Sequence, residues 1–564
     1  MRIKFHGPID EVTGSCYELI DDVMQVHMLV DCGLVQGPPD AEKRNRAPLP
    51  FDPRTLTHVV LTHAHIDHSG LIPRLYAEGY RESVYCTRET AELARLVLED
   101  CAQLGGVPYT KRDVARIKFH EPTKATSFGC YCPIGPDLLL RFYRSGHILG
   151  ATSVTLHWGA KEATRAISFS GDLGPNVKDA EILPLMGYRM SPARSDYAVI
   201  ESTYGGTVRP PISMEERLAQ LAAALDRGLV ERRGVIVIPC FALERMQDVL
   251  CDLTFLFARE PERFADVPVI LDSTLALKAN QIMANAFERT TIVKDGTRAS
   301  DTWLGRGLYR LLGLDRKDPD ARPVVLDAVR EMLTDRAETT RVTEVPHPAG
   351  GPLASWRRIW RRRERQTTVT GPAIVLAAGG MCEGGPVQYY LLRLLGDPTT
   401  TVLLPGYCGP ATVGGQLLAM KNLPREQRLR LDGSIDMVPG SVRRCEVEAT
   451  IETLAGYSAH ADQEGLVAWL WSAPKDQPKV PIAKTVFVSH GEPGPRAALA
   501  AAIEKRAAAE GHSVKVELPP RGRWFDLDSG EWLEDGLSQH DIMRLENERL
   551  RREIAALRGS QSAR

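Results

Sequence analysis

Short apolar runs alternate with turns and amphipathic stretches through the first third of the chain, and the runs end repeatedly on a polar residue. Val26-His27-Met28-Leu29-Val30 predicts a strand stopping at Asp31, and Val59-Val60-Leu61 one stopping at His63. Leu138 to Tyr143 leads into Ser145-Gly146-His147, and Ala166 to Phe169 into Ser170-Gly171-Asp172. Leu93, Ala94, Val97, Leu98 and Cys101 recur at helical spacing, which predicts an amphipathic helix over 90–101. Strands alternating with helices indicate an α/β fold. Polar residues just past strand ends would gather along one edge of a sheet, where such folds build their sites.

The densest chemistry is His63-Ala64-His65-Ile66-Asp67-His68, with four metal-ligand side chains straight after an apolar run. In extended backbone His63, His65 and Asp67 share a face. A helix starting at Ser69 would bend the chain and bring His68 round to a second metal. Imidazole and carboxylate are the usual ligands of zinc, so the cluster suits two adjacent Zn2+ ions with an open position for water.

The pattern continues to the C-terminus. Gly234 to Pro239 and Val267 to Asp272 read as buried parallel strands, with helical runs over 214–229 and 243–257. Ala373 to Ala378 runs into Gly379-Gly380-Met381-Cys382-Glu383-Gly384-Gly385, either a plain turn or a loop whose backbone N–H groups hold phosphate. Lys484 to Val488 predicts a strand ending near His490, followed by a helix over 497–509 and a strand over 514–518. Composition turns charged from about 297 to 370. There Trp356, Ile359 and Trp360 sit among six arginines, readable as the buried face of a helix or as an RNA contact. Met543, Asn547, Leu550, Ile554 and Leu557 follow heptad order, consistent with a short parallel coiled coil or a docked helix.

Composition narrows the partners. A net charge of −2 gives no global attraction to nucleic acid, so a local basic groove would have to hold it. Neither a signal-peptide core nor an apolar run near the roughly 20 residues of a membrane span is present, which leads to an expectation of no membrane and a cytoplasmic location. Eleven scattered cysteines fit reduced thiols, with Cys130-Tyr131-Cys132 read as structural.

Asp31, the HxHxDH stretch, His147 and Asp172 resemble the successive metal-binding motifs of the metallo-β-lactamase superfamily. Glu201-Ser202-Thr203-Tyr204-Gly205, Tyr457 to Asp462 and Val488 to Glu492 resemble the three further motifs of its β-CASP nucleases, a group that includes ribonuclease J and the endonuclease of pre-mRNA 3′-end processing. The similarity runs from about Phe5 to Leu518. It implies an α/β fold, the αββα sandwich, in which a β-CASP cap domain is inserted. The expected division is 1–205 and 426–522 for the sandwich, 206–425 for the cap with its charged insertion, and 523–564 for a tail. DNA-directed members typically lack the last histidine, so His490 resembles the RNA-directed branch.

By the same resemblance, His63, His65 and His147 would bind one zinc, Asp67, His68 and His490 the other, and Asp172 would bridge them. Asp31 would orient a ligand histidine, and Glu201 would hold His460 as proton donor to the leaving 3′-oxygen. Products would carry 5′-phosphate. Gly379, Gly380, Met381, Gly384, Gly385 and Ser458 are candidate substrate contacts. Glu244 stands where the family's IPxFxxGR motif has glycine, and Gly380 where a loop serine is common. The expected partner is RNA, with a homodimer formed through the tail or the catalytic domains. The alternatives are a non-nuclease hydrolase of this fold, which would need neither the cap nor His460, and a scaffold subunit, which should have lost ligands.

Overall fold

The computed structural model of the chain describes residues 1–38, 40–120, 128–159, 164–178, 181–264, 267–292, 298–300, 303–335, 359–361, 369–406, 408–438, 440–472 and 480–534. Two sheets lie face to face. One orders the strands Glu531–Trp532, Trp524–Asp526, Arg2–Gly7, Cys16–Asp21, Val26–Val30, His58–Val60, Val84–Tyr85 and Phe119–His120. The other orders Lys515–Glu517, Thr485–Val488, Tyr197–Ile200, Arg165–Phe169, Thr152–Trp158, Leu138–Arg144 and Cys132–Gly135.

Period-two alternation decides which side chains meet between the sheets. Ile3, Phe5, Leu19, Met28 and Val60 share a core with Leu140, Val154, Ile167, Phe169 and Phe487. Phe5 packs 5.2 Å from Phe487, and Tyr17 5.6 Å from Phe169, between ring centroids. Removing a ring such as Phe487 would cost about 3–5 kcal/mol. The intervening residues Leu29, Val59 and Leu61 face outward into a second core, where Leu93, Ala94, Val97 and Leu98 of the Arg88–Leu104 helix cover them. On the far side, helices Gln463–Leu470 and Pro493–Ala509 pack Leu466, Leu470, Leu499 and Ile503 on Ala198, Ile200, Val486 and Val488. The result is helix, sheet, sheet, helix, the expected αββα sandwich.

A third, six-stranded sheet is parallel throughout, in the order Ile359–Arg361, Val269–Asp272, Ala373–Ala378, Val235–Cys240, Thr401–Leu404 and Thr450–Thr453. Both of its faces are buried. Ile236, Ile238 and Leu376 meet Leu221, Val249 and Leu253, while Val235, Val237 and Val375 meet Leu391 and Leu417. Burial on both sides is why these strands read as unbroken apolar runs.

The structure departs from the sequence reading at several sheet edges. Thr450–Thr453, expected in the sandwich portion 426–522, pairs instead with Thr401–Leu404 at the edge of the third sheet. Ile359–Arg361 is an edge strand of the parallel sheet, not part of a helix, because pairing with Val269–Leu271 gives its backbone a ladder that helical spacing did not reveal. Residues 351–358, 362–368 and the heptad tail lie outside the described residues. Trp524–Asp526 and Glu531–Trp532, placed by sequence in the tail, extend the first sheet beside Arg2–Gly7. Phe525 is buried against Phe487 at 4.9 Å, so this segment belongs to the sandwich core. Among the described residues no helix is long and apolar enough to cross a membrane.

Candidate active site

The loops bearing the candidate ligands leave the strand ends of both stacked sheets, not one sheet edge as the pattern suggested. Asp31 follows Val26–Val30 in the first sheet, whereas Glu201 and His490 follow Tyr197–Ile200 and Thr485–Val488 in the second. The His63 to His68 segment also differs from expectation. A short helix spans Ile66–Ser69, starting three residues earlier than predicted, so Asp67 lies on a helical turn with His68 and not on an extended face. Close backbone packing places the turn. A Cβ on Gly33 would fall 1.7 Å from the Asp67 carbonyl, so glycine is required there. Asp31 and His490 themselves take left-handed backbone (φ 59° and 50°), strain of about 1–3 kcal/mol each that marks a functional constraint.

Seven side chains converge. His65 Nδ1 lies 3.2 Å from His63 Nε2 and 3.0 Å from His147 Nε2. His68 Nε2 lies 3.2 Å from His490 Nε2, and Asp67 Oδ2 lies 3.8 and 3.6 Å from those two atoms. Asp172 stands between the groups. Its Oδ2 is 3.5 Å from His63 and 3.4 Å from His147, and its Oδ1 is 3.3 Å from His68 and 3.5 Å from His490. A tetrahedral ion bound at about 2.0–2.1 Å has donor–donor edges of about 3.3 Å, which these spacings match. Asp172 Oδ1 is buried without a hydrogen-bond partner among the described residues, as a carboxylate oxygen meant for a cation would be. The donor set and its geometry therefore fit metal.

Outer partners aim the rings. Asp31 Oδ2 accepts the His68 Nδ1 proton at 2.7 Å, and Thr62 donates its N–H and its hydroxyl to the same carboxylate at 2.8 Å each. The Ala459 carbonyl accepts from His147 Nδ1 at 2.9 Å. Both arrangements place the neutral ring's proton on Nδ1 and turn Nε2 toward the cluster. Burial lowers the proton affinity of His63 and His147 well below the ordinary range and that of His65 to about 4, so all three are neutral at pH 7, the form in which imidazole can accept a metal. Burial acts the same way on His68 and His490, but the carboxylates around them, Asp172 first, outweigh it and raise both.

Glu201 and His460 form a separate pair beside the cluster. His460 Nδ1 is 3.2 Å from each Glu201 oxygen, and its ring lies 4.6 Å from that of His147. Glu201 is buried, and its Oε1 also accepts the Leu173 N–H at 2.6 Å. Ser458 closes the turn carrying His460, accepting the His460 N–H at 3.2 Å. The glycine-rich loop at 379–385 packs on Phe241, Cys408 and the Val413–Met420 helix, and Gly379 and Gly385 take positive φ. Glu244 has φ 70°, the physical reason glycine suits that position. Here the buried glutamate uses Oε2 to accept the Leu149 N–H at 3.2 Å, two residues from His147. Sequence reasoning missed Thr62, Thr203 (Oγ1 3.2 Å from His490 Nδ1) and Arg189, whose guanidinium donates to the Gly174 carbonyl. Thr62 adjoins one motif and Thr203 lies within another, without a role assigned to it there; Arg189 had no local signal.

Facing donor clusters at the ends of two stacked sheets, with an acid–histidine pair alongside, define a metal-dependent hydrolase. Three family models match the chain: the metallo-beta-lactamase superfamily at residues 11–141, the Beta-Casp domain at 246–417, and the Zn-dependent metallo-hydrolase RNA specificity domain at 444–519. Ribonuclease TTHA0252 of Thermus thermophilus is 30% identical over 493 residues, covering 87% of this chain and 93% of that protein. Transcription termination factor FttA of a Lokiarchaeum species is 28% identical, over 90% of this chain and 69% of that protein. The RNase J-like protein of Methanocaldococcus jannaschii is 24% identical, over 87% and 92%. The chain belongs to the β-CASP nuclease family of the metallo-β-lactamase superfamily.

Proposed function

We propose that this protein is a zinc-dependent ribonuclease hydrolysing RNA phosphodiester bonds to leave 5′-phosphate products. The observation that carries this is the Glu201–His460 pair beside a two-sided donor cluster. A hydrolase of activated esters has no need of a proton donor at that position, whereas expulsion of a ribose 3′-oxygen does. His63, His65 and His147 would hold one zinc, Asp67, His68 and His490 a second, and Asp172 both. Bound there, the pair of ions would supply Lewis acidity and make water a nucleophile near neutral pH. Asp31 keeps the His68 tautomer. Glu201 holds His460 Nδ1, which directs the remaining ring nitrogen toward the leaving oxygen, and the carboxylate stabilises the charged imidazole that will donate.

Supporting the RNA substrate are the names of the relatives and of the RNA specificity domain. The cap, expected over 206–425, would extend to Thr453, because Thr450–Thr453 pairs with Thr401–Leu404 in its parallel sheet, and the protein would be cytoplasmic, with a homodimer formed through the tail and/or the catalytic domains. Deleting 539–564 should then lower the mass seen by light scattering. Purified protein incubated with 5′- and 3′-labelled RNA tests the activity. Discrete fragments would mean endonuclease action and mononucleotides 5′-exonuclease action. Undiminished cleavage after exhaustive chelation would defeat the metal-dependent reading.

A further inference from the structure

The helix Arg245–Arg259, which packs Val249 and Leu253 on the third sheet, starts from a strained turn. Glu244, just before it, has φ 70° and ψ −58°, and the Arg245 N–H donates to the Leu243 carbonyl at 2.9 Å across it. That is a γ-turn of the rare, strained hand, which glycine enters freely and glutamate does not. The side chain runs inward. Glu244 is buried, and its Oε2 accepts the Leu149 N–H at 3.2 Å. One neutral hydrogen bond returns no more stability than such strain costs, so folding alone does not account for a carboxyl at this position.

The partner of that carboxyl gives it a role. Leu149 lies on the loop that carries His147, and other parts of this loop are tied to one another or to the sandwich. Ser145 donates its N–H to the Ala151 carbonyl at 3.1 Å and Ala151 to Ile148 at 3.0 Å, while the Gly150 carbonyl accepts the hydroxyls of Thr87 and Thr90 at 2.8 Å each. Leu149 reaches instead to the third-sheet helix, through Glu244. The same helix holds the opposite side of the site, because its Asp252 accepts from the Tyr457 hydroxyl three residues before His460. One helix thus braces both the His147 loop and the His460 turn. Burial, with Asp248 adding to it, holds the Glu244 carboxyl toward its neutral form, so an uncharged acceptor of the same shape should replace it.

We propose that Glu244 is a positioning residue through which the helix Arg245–Arg259 holds the His147 loop in place for zinc, an inference that rests on the zinc-site reading. The test measures zinc affinity by competition with a chromogenic chelator, and the melting midpoint of the zinc-free chain, in full-length wild type, E244Q, E244M and E244G. Glutamine keeps the acceptor, methionine keeps the volume without it, and glycine removes side chain and strain together. E244M and E244G should bind zinc about tenfold to a hundredfold more weakly, the usual effect of losing a group that orients a ligand, while E244Q should match wild type. Hydrolysis of bis-p-nitrophenyl phosphate at limiting zinc should follow the same order. A role in folding alone would lower the zinc-free midpoint of E244M and leave its zinc affinity unchanged, and that result would overturn the proposal. Equal weakening in E244M and E244Q would overturn it too, since these two differ in the acceptor. Should E244M fail to fold, E244G against E244Q makes the same comparison. A wild-type chain that binds no zinc would overturn the zinc-site reading, and this inference with it.

Discussion

His460 Nδ1 stands 3.2 Å from both carboxylate oxygens of Glu201, while His63, His65 and His147 face Asp172 from the other side of the site. Two kinds of histidine therefore sit within one cluster, some turned toward one another and Asp172 and one toward Glu201. Their substitution should separate them.

His460→Ala should retain its zinc and lose RNA cleavage by about 10²–10⁴-fold, the usual contribution of a general acid. On bis-p-nitrophenyl phosphate, whose phenolate leaves without a proton, the loss should be far smaller. His63→Ala should fail on both substrates. Equal impairment of His460→Ala on both, or loss of its metal, would make His460 a ligand or a structural residue.

Glu201 sets the pH range over which that donor is charged. Burial pulls the His460 proton affinity down, but Glu201 outweighs it, so the folded value lies above 6.5. The protonated donor is present below that value and disappears as pH rises through it. In Glu201→Gln the carboxylate charge is gone and burial remains, so the alkaline limb of the RNA-cleavage profile should move to lower pH. A limb that stays in place would assign it to another group.

Metal analysis should return about two zincs per chain, as two-metal phosphodiesterases hold. His65→Ala should lower both occupancy and activity. Asp172→Ala should be more damaging, because its two oxygens face opposite halves of the cluster. Full occupancy in Asp172→Ala would exclude a bridging role.

Arg217 and Asp252 are fully buried and paired at 2.7 and 2.8 Å, and the Tyr457 hydroxyl donates to the same carboxylate. Asp252→Ala strands the guanidinium and should cost about 3–5 kcal/mol in denaturant unfolding. Because Tyr457 lies three residues before His460, activity should fall as well. A stability change under 1 kcal/mol would mean that water reaches the pair.

The local pattern was sufficient for most elements and for finding the residues that converge at the site. Alternation and helical spacing located the Val26–Val30 and Ala373–Ala378 strands and the core of the Arg88–Leu104 helix, because each buries a face whose period is written in consecutive residues. Asp31, His63, Asp172, Glu201 and His490 stood out for a similar reason, each one to three residues past an apolar run, and the rest of the HxHxDH stretch by its density. What sequence could not supply was anything decided by pairing between distant segments. Asp67 turns onto a helix where two other loops meet its carbonyl, the Ser15 N–H donating to it at 2.8 Å and Gly33 packing on it without a Cβ. Ile359–Arg361 becomes a strand, and Trp524–Asp526 joins the first sheet, through edges offered by partners about 90 and 520 residues earlier in the chain. The division of the histidines between the donor cluster around Asp172 and the pairing with Glu201 likewise required the folded chain. Side-chain identity is local, but the distance between two side chains far apart in sequence is set only when the backbone between them has closed its loop.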